Sequence, residues 1–114
     1  MNIQELQTKL ADAPETIEFA EVMALIDGFY EFHPVAFTNG DQHNDAGQNN
    51  GSCKLFAFAR LQGFDQQQTL ACFGAFYRND VLGNPDGDDH QNIRNFMKTG
   101  WAGIEFSGDA LTAK

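Results

Sequence analysis

One segment constrains the fold of this chain more than any other. Between Cys53 and Gln62, the residues Leu55, Phe56, Ala57, Phe58, Ala59 and Leu61 leave only Lys54 and Arg60 to mark a wet face. A helix apolar around that much of its girth has to be covered on almost every side. The rest of the chain is therefore expected to wrap it. The material for this is present: of 114 residues, 42% are hydrophobic, and Phe alone contributes 11. That composition excludes disorder for most of the length, and a chain of this size can bury one real core.

The flanking segments supply the cover. Residues 3–11 read as a short amphipathic helix on Ile3, Leu6 and Leu10. Pro14 suits the first turn of a second helix running to about Phe32. Its Phe19, Val22, Met23, Ile26, Phe29 and Tyr30 recur at helical spacing. Val35 to Thr38 is a short extended candidate. Ser52 is placed to cap the central helix. Asp65 with Gln68 three residues on predicts a capping box opening a fourth helix, with Leu70, Phe73, Tyr77 and Val81 on one face. Asp88 or Asp89 is expected to cap a fifth helix with Ile93, Phe96 and Met97 inward, stopped at Gly100. Trp101 to Phe106 reads as a strand. The expected fold is mainly α (α+β at most): a single compact domain, 1–106, of about five helices with one or two short strands. Residues 107–114 are expected to fray.

Seven Lys and Arg against 16 Asp and Glu give a net charge of -9. An acidic surface repels phosphate backbones and anionic lipid, which disfavours nucleic acid and membrane partners. Two cysteines are too few for a disulfide scaffold. The N-terminus has neither the basic start nor the apolar stretch of a signal peptide, so a reduced cytoplasmic protein is the expectation.

Residues 39–52 change character. This polar stretch, rich in Asn and Gly, is unusually long for a small chain, and loops of that length tend to carry function. Gly47-x-x-x-Gly51-Ser52-Cys53-Lys54 opens onto a helix N-terminus, where free N–H groups and the helix dipole attract anions. The glycines stand one residue too close for a nucleotide-binding P-loop. The competing reading is a capped turn. Cys53, in the first turn, is a candidate nucleophile with His43 or His90 as base; against it stands the ordinary fate of a free Cys, a small buried hydrophobe. Asp41-x-His43-x-Asp45 and Asp86-x-Asp88-Asp89-His90 offer metal-ligand atoms but no complete spacing for calcium or zinc, and no metal or cofactor is expected. His90, Arg94 and Lys98 recur along the fifth helix, as a stripe for an acidic partner or as a solvated face in which Arg94 pairs with a nearby acid.

Several of these segments together resemble the HopJ type III effector family. The matching runs are Phe37-Thr38-Asn39-Gly40, Asn44-x-Ala46-Gly47-Gln48-Asn49-x-Gly51-Ser52-Cys53-Lys54, Thr69-Leu70-Ala71-Cys72-Phe73-Gly74, Tyr77-Arg78, His90-x-Asn92-Ile93-Arg94-Asn95-Phe96 and Gly100-Trp101-x-Gly103-Ile104. The resemblance implies no reaction. It implies a small effector-like protein, a binding or interaction module, with secretion into a host by a type III system where the family label applies. The candidate binding set is Asn39, Asn44, Asn49, Ser52, Arg78, His90, Asn92 and Arg94, with a protein partner or a small anionic ligand as the occupant. The alternative is a small Cys-dependent enzyme using Cys53. His90, Asn92 and Arg94 are expected to tie down the polar loop.

Overall fold

A computed structural model describes residues 1–114. Helix α1 (Ile3–Asp12) starts at Asn2, whose side chain accepts the Glu5 amide, and buries Leu6 and Leu10. Helix α2 (Phe19–Phe29) opens with a reciprocal Glu18–Glu21 capping box. The single helix expected from Pro14 to Phe32 is in fact three pieces. Pro14–Thr16 is a 3-10 turn, α2 follows a break at Ile17, and Tyr30–Phe32 forms strand β1. Both breaks have tertiary causes. Ile17 is fully buried and its carbonyl accepts a 2.7 Å hydrogen bond from Arg78 Nη1, while β1 pairs antiparallel with the C-terminal strand.

That C-terminal strand, Leu111–Ala113 (β5 in chain order), corrects the expectation of a frayed tail: it pairs residue for residue with β1, and Ala110 and Leu111 are buried. Strands β2 (Phe37–Asn39) and β3 (Gln42–Asn44) form a hairpin turning at Gly40, whose φ of +59° suits glycine. Strand β4 (Ile104–Phe106) adds to the other edge of β2, giving the antiparallel order β3-β2-β4. Strands are thus more numerous than expected but short, and the domain is α+β with the helices dominant. Part of the long polar loop is this hairpin.

Helix α3 (Asn50–Gln62) occupies the centre, as its girth requires, with Cys53, Leu55, Phe56, Ala57, Phe58 and Ala59 buried. Leu61 is the exception and is exposed. Phe56 is the hub, its ring meeting those of Phe37, Phe73, Phe96 and Trp101 at 4.9–6.3 Å. Helix α4 (Gln66–Ala71) has the expected Asp65–Gln68 box. It does not continue to Val81: Gly74 turns left-handed (φ +63°), and Phe76–Val81 forms one π-helical turn. A Cβ at Gly74 would lie 2.8 Å from the Phe19 amide nitrogen, so this corner is built for glycine. Helix α5 (Gln91–Thr99) follows His90, and a 3-10 turn at Gly100–Gly103 replaces the start of the expected last strand. Trp101 in that turn is half-buried, and its indole N–H donates to the Phe64 carbonyl at 2.9 Å. Phe29, Phe76 and Met97, all at core spacing, are instead partly exposed.

Candidate functional site

The N-terminal turns of α3 and α5 converge. Each is preceded by a non-glycine residue in the left-handed region, Asn49 (φ 51°) and His90 (φ 49°). Neither helix has a side-chain cap. Ser52 therefore does not cap α3, and neither Asp88 nor Asp89 caps α5; the Asp89 carboxylate is taken by Arg94 at 2.6 Å. Between the two turns lies a groove of about 410 Å³, walled by Asn49, Gly51 and Ser52 on one side and by His90, Gln91 and Asn92 on the other. Its aromatic end is Phe19, Phe73 and Phe76. Phe19 and Phe73 stack at 6.0 Å, and Phe76 meets Phe19 edge-on at 5.4 Å. The two motif-dense stretches of the sequence thus meet at one concave surface.

A buried asparagine network fixes this meeting. Asn92 Nδ2 donates to Asn44 Oδ1 at 3.0 Å, and Asn44 Nδ2 returns a bond to Asn92 Oδ1 at 3.2 Å. Asn49 Nδ2 donates to Asn44 Oδ1 at 2.7 Å, and Asn39 Nδ2 donates to the Asn92 carbonyl at 2.6 Å. Asn39 and Asn44 are fully buried and form no part of the groove wall. Their amides hold the wall in place: a primary amide both donates and accepts, so a chain of them can link a hairpin to a helix without any charge to desolvate.

Arg78 and Arg94 lie apart from the groove, and His90 on its wall is held from outside the polar loop. Arg94, largely buried, donates to the carbonyls of Asn84, Pro85 and Asp89 and to the Asp89 carboxylate. Its hydrogen bonds hold the turn before α5 and none reaches the polar loop, contrary to expectation; nor does any bond of His90. Of the three residues expected to tie the loop down, Asn92 alone does so. Arg94 pins Asp89, and its guanidinium keeps the Asp89 carboxyl below the usual carboxylate range. Arg78 braces the corner that carries Phe19, through the Ile17 carbonyl and the Glu18 carboxylate at 3.4 Å. His90 Nε2 sits 3.1 Å from Asp80 Oδ2 and its ring 5.3 Å from that of Phe76.

The thiol–imidazole pair of the enzyme reading, Cys53 with His43 or His90, makes no hydrogen bond. Cys53 is buried, its Sγ faces the Val35 carbonyl at 3.9 Å, and burial pushes its thiol up rather than down. His43 and His90 are engaged by Asp45 and Asp80. Lys54 pairs with Asp27 at 2.9 Å and gives no charge to an anion at the loop. No three metal-ligating side chains converge. Sequence reasoning missed Phe19, Gln42, Phe73, Phe76, Gln91 and Ile93 as groove residues. Helical spacing marks the phenylalanines as core, and Gln91 carries no signal of its own.

The segments that build this site are those of a known class. The profile of the HopJ type III effector proteins matches residues 3–111, and the chain belongs to this family. The fold is also that of the crystal structure of VPA0580, a protein of unknown function: the TM-score is 0.96 and the identity 59%, over 100% of this chain and 95% of that one. No match was found among curated proteins.

Proposed function

We propose that this protein is an effector-like binding module and that the groove between the starts of α3 and α5 is its recognition site. The observation that carries this reading is the convergence of two uncapped helix starts on one aromatic-ended cavity. The first N–H groups of a helix have no partner within it. Here those of α3 and α5 border the same space, which favours a carboxylate or phosphate oxygen beside an apolar or aromatic group. Two residues held left-handed and a π-helical turn border the same cavity, features that concentrate at functional sites. Both cysteines are free, which suits synthesis in the reducing cytoplasm. Delivery into a host cell by a type III system is the reading that goes with the family.

The test of the groove is a titration of isotope-labelled protein with phenyl phosphate, followed by NMR. Saturable shifts at the amides of Gly51, Ser52, Gln91 and Asn92, lost in Phe76→Ala, support the reading. Shifts scattered over the surface, or none, refute it. For delivery, a fusion with the reporter at the C-terminus should leave cells with an intact secretion system and stay in cells lacking it.

A further inference from the structure

Beyond Gln91 the groove continues into a second depression of about 390 Å³. Its wall is Val81, Leu82, Pro85, Met97, Arg94 and Lys98, and Gln91 borders both spaces. Two features of this depression call for a partner. Leu82 is 49% and Met97 37% exposed, and both line this depression on a domain with ample core to take them. Lys98 is also the one lysine or arginine whose side chain makes no hydrogen bond or ion pair. Lys9, Lys54, Arg78 and Arg94 pair with carboxylates, Arg60 bonds the Ile104 carbonyl, and Lys114 bonds that of Asp27. On a chain of net charge -9 this is the place where a free cation and apolar side chains stand together.

We propose that this depression docks an acidic, apolar polypeptide segment of a partner protein, with its carboxylate at Lys98 and its apolar side chain between Leu82 and Met97. The inference rests on the groove as the recognition site and names the partner class for the whole face. Charge selects the occupant: Arg94 is held by Asp89, so Lys98 is the unpaired cation on this wall, and a carboxylate placed there sets register as well as affinity. The apolar pair supplies the desolvated centre, and Arg94 is spent on its own turn. A face made of two adjoining depressions suits an amphipathic helical segment, which presents several side chains along one face, better than a compact solute.

The experiment uses the intact chain, labelled for NMR, with two synthetic helical peptides. One carries Leu and Glu at i, i+3 and i+4 spacing; in the other each Glu is replaced by Lys. The expected result is saturable shifts at Leu82, Gln91, Met97 and Lys98 with the Glu peptide, and none with the Lys peptide. Lys98→Glu should weaken binding about two- to fivefold, the scale of one exposed ion pair, and Leu82→Ser should weaken it with the melting temperature held. Added salt should weaken it too. No saturable shift on this face, equal binding of both peptides, or unchanged binding to Lys98→Glu overturns the proposal. So does a concentration-dependent dimer in sedimentation that Leu82→Ser dissolves, which would assign the face to a second copy. Failure here leaves the phenyl phosphate shifts at Gly51 and Ser52 intact, so the two readings fall separately.

Discussion

Asn44 and Asn92 exchange hydrogen bonds in both directions, each Nδ2 donating to the other's Oδ1 at 3.2 and 3.0 Å. One residue ends the β2–β3 hairpin and the other lies in the first turn of α5. If Asn44 turned away, Asn92 Nδ2 would lose its one acceptor, and if Asn92 turned away, buried Asn44 Nδ2 would keep only the Phe37 carbonyl at 3.3 Å.

Removing either amide should therefore cost more than one ordinary hydrogen bond. Asn44→Ala or Asn92→Ala is expected to lose about 1–3 kcal/mol in denaturant unfolding, the range for a buried polar group left unpaired. The double variant should cost less than the sum of the two, with a coupling of about 0.5 kcal/mol or more. Hydrogen exchange should localise the damage: Asn92→Ala loosens the amides of 44–51, whereas Arg94→Met loosens 84–89 and spares the loop. Additive losses, or Arg94→Met freeing the loop, would contradict this assignment.

Two glycines separate conformational strain from steric overlap. Gly47 has φ +92° with nothing within 4 Å of an added Cβ, whereas at Gly74 (φ +63°) the Cβ would press on the backbone at Ile17, Glu18 and Phe19. Gly47→Ala should cost about 1–2 kcal/mol, the price of a left-handed L-residue alone. Gly74→Ala should cost clearly more, about 3 kcal/mol or above, because the backbone there has to move. Thermal melts of the two variants decide it, and equal losses would mean that the Gly74 corner relaxes freely.

Both thiols should be inert in the native protein. Burial raises Cys53 and pushes Cys72 up to about 12, so almost no thiolate exists at neutral pH. A chromogenic disulfide reagent is expected to label neither until denaturant opens the fold. Labelling of Cys53 as fast as an exposed thiol would restore the nucleophile reading.

Acid should unlock the turn before α5. The hydrogen bond and charge of Arg94 hold the Asp89 carboxyl low; for Glu21 the Glu18 amide is the larger cause and Lys9 the next. For a carboxyl lowered on folding, the stabilisation is complete above its unfolded value, about 4, and drains away as pH falls through the folded value. Asp89→Asn should thus lower the neutral plateau and converge with the unaltered protein at low pH, so that the acid limb of a stability-against-pH curve is flatter. An unaltered acid limb would show that the pair contributes nothing to it.

Much of the fold was legible because its signals are local. The girth of 53–62 placed α3 at the centre, and Asp65 with Gln68 marked the start of α4 through contacts three residues apart. The break at Ile17 was not legible, since its cause is a bond from Arg78, 61 residues on. Nor was β5, whose three residues have no periodicity long enough to read and owe their order to β1. For the site, the sequence pointed to the two stretches that meet, and the asparagines within them suggested turns and side-chain bonds. It could not divide the candidates into the buried Asn39 and Asn44, the wall residues Asn49, Ser52, His90 and Asn92, and the braces Arg78 and Arg94.

The sequence by itself thus determined the class of the domain, its central helix and the family to which it belongs, because apolar periodicity, capping pairs and motif order are written along the chain. Only the tertiary structure decided which polar groups face a cavity, which thiols are sealed, and that Lys98 stands without a partner beside Leu82 and Met97. The reason is physical. A side chain's role at a site depends on which distant groups satisfy its hydrogen bonds and exclude its water. Those partners are chosen by how the helices and strands pack, not by the residues on either side.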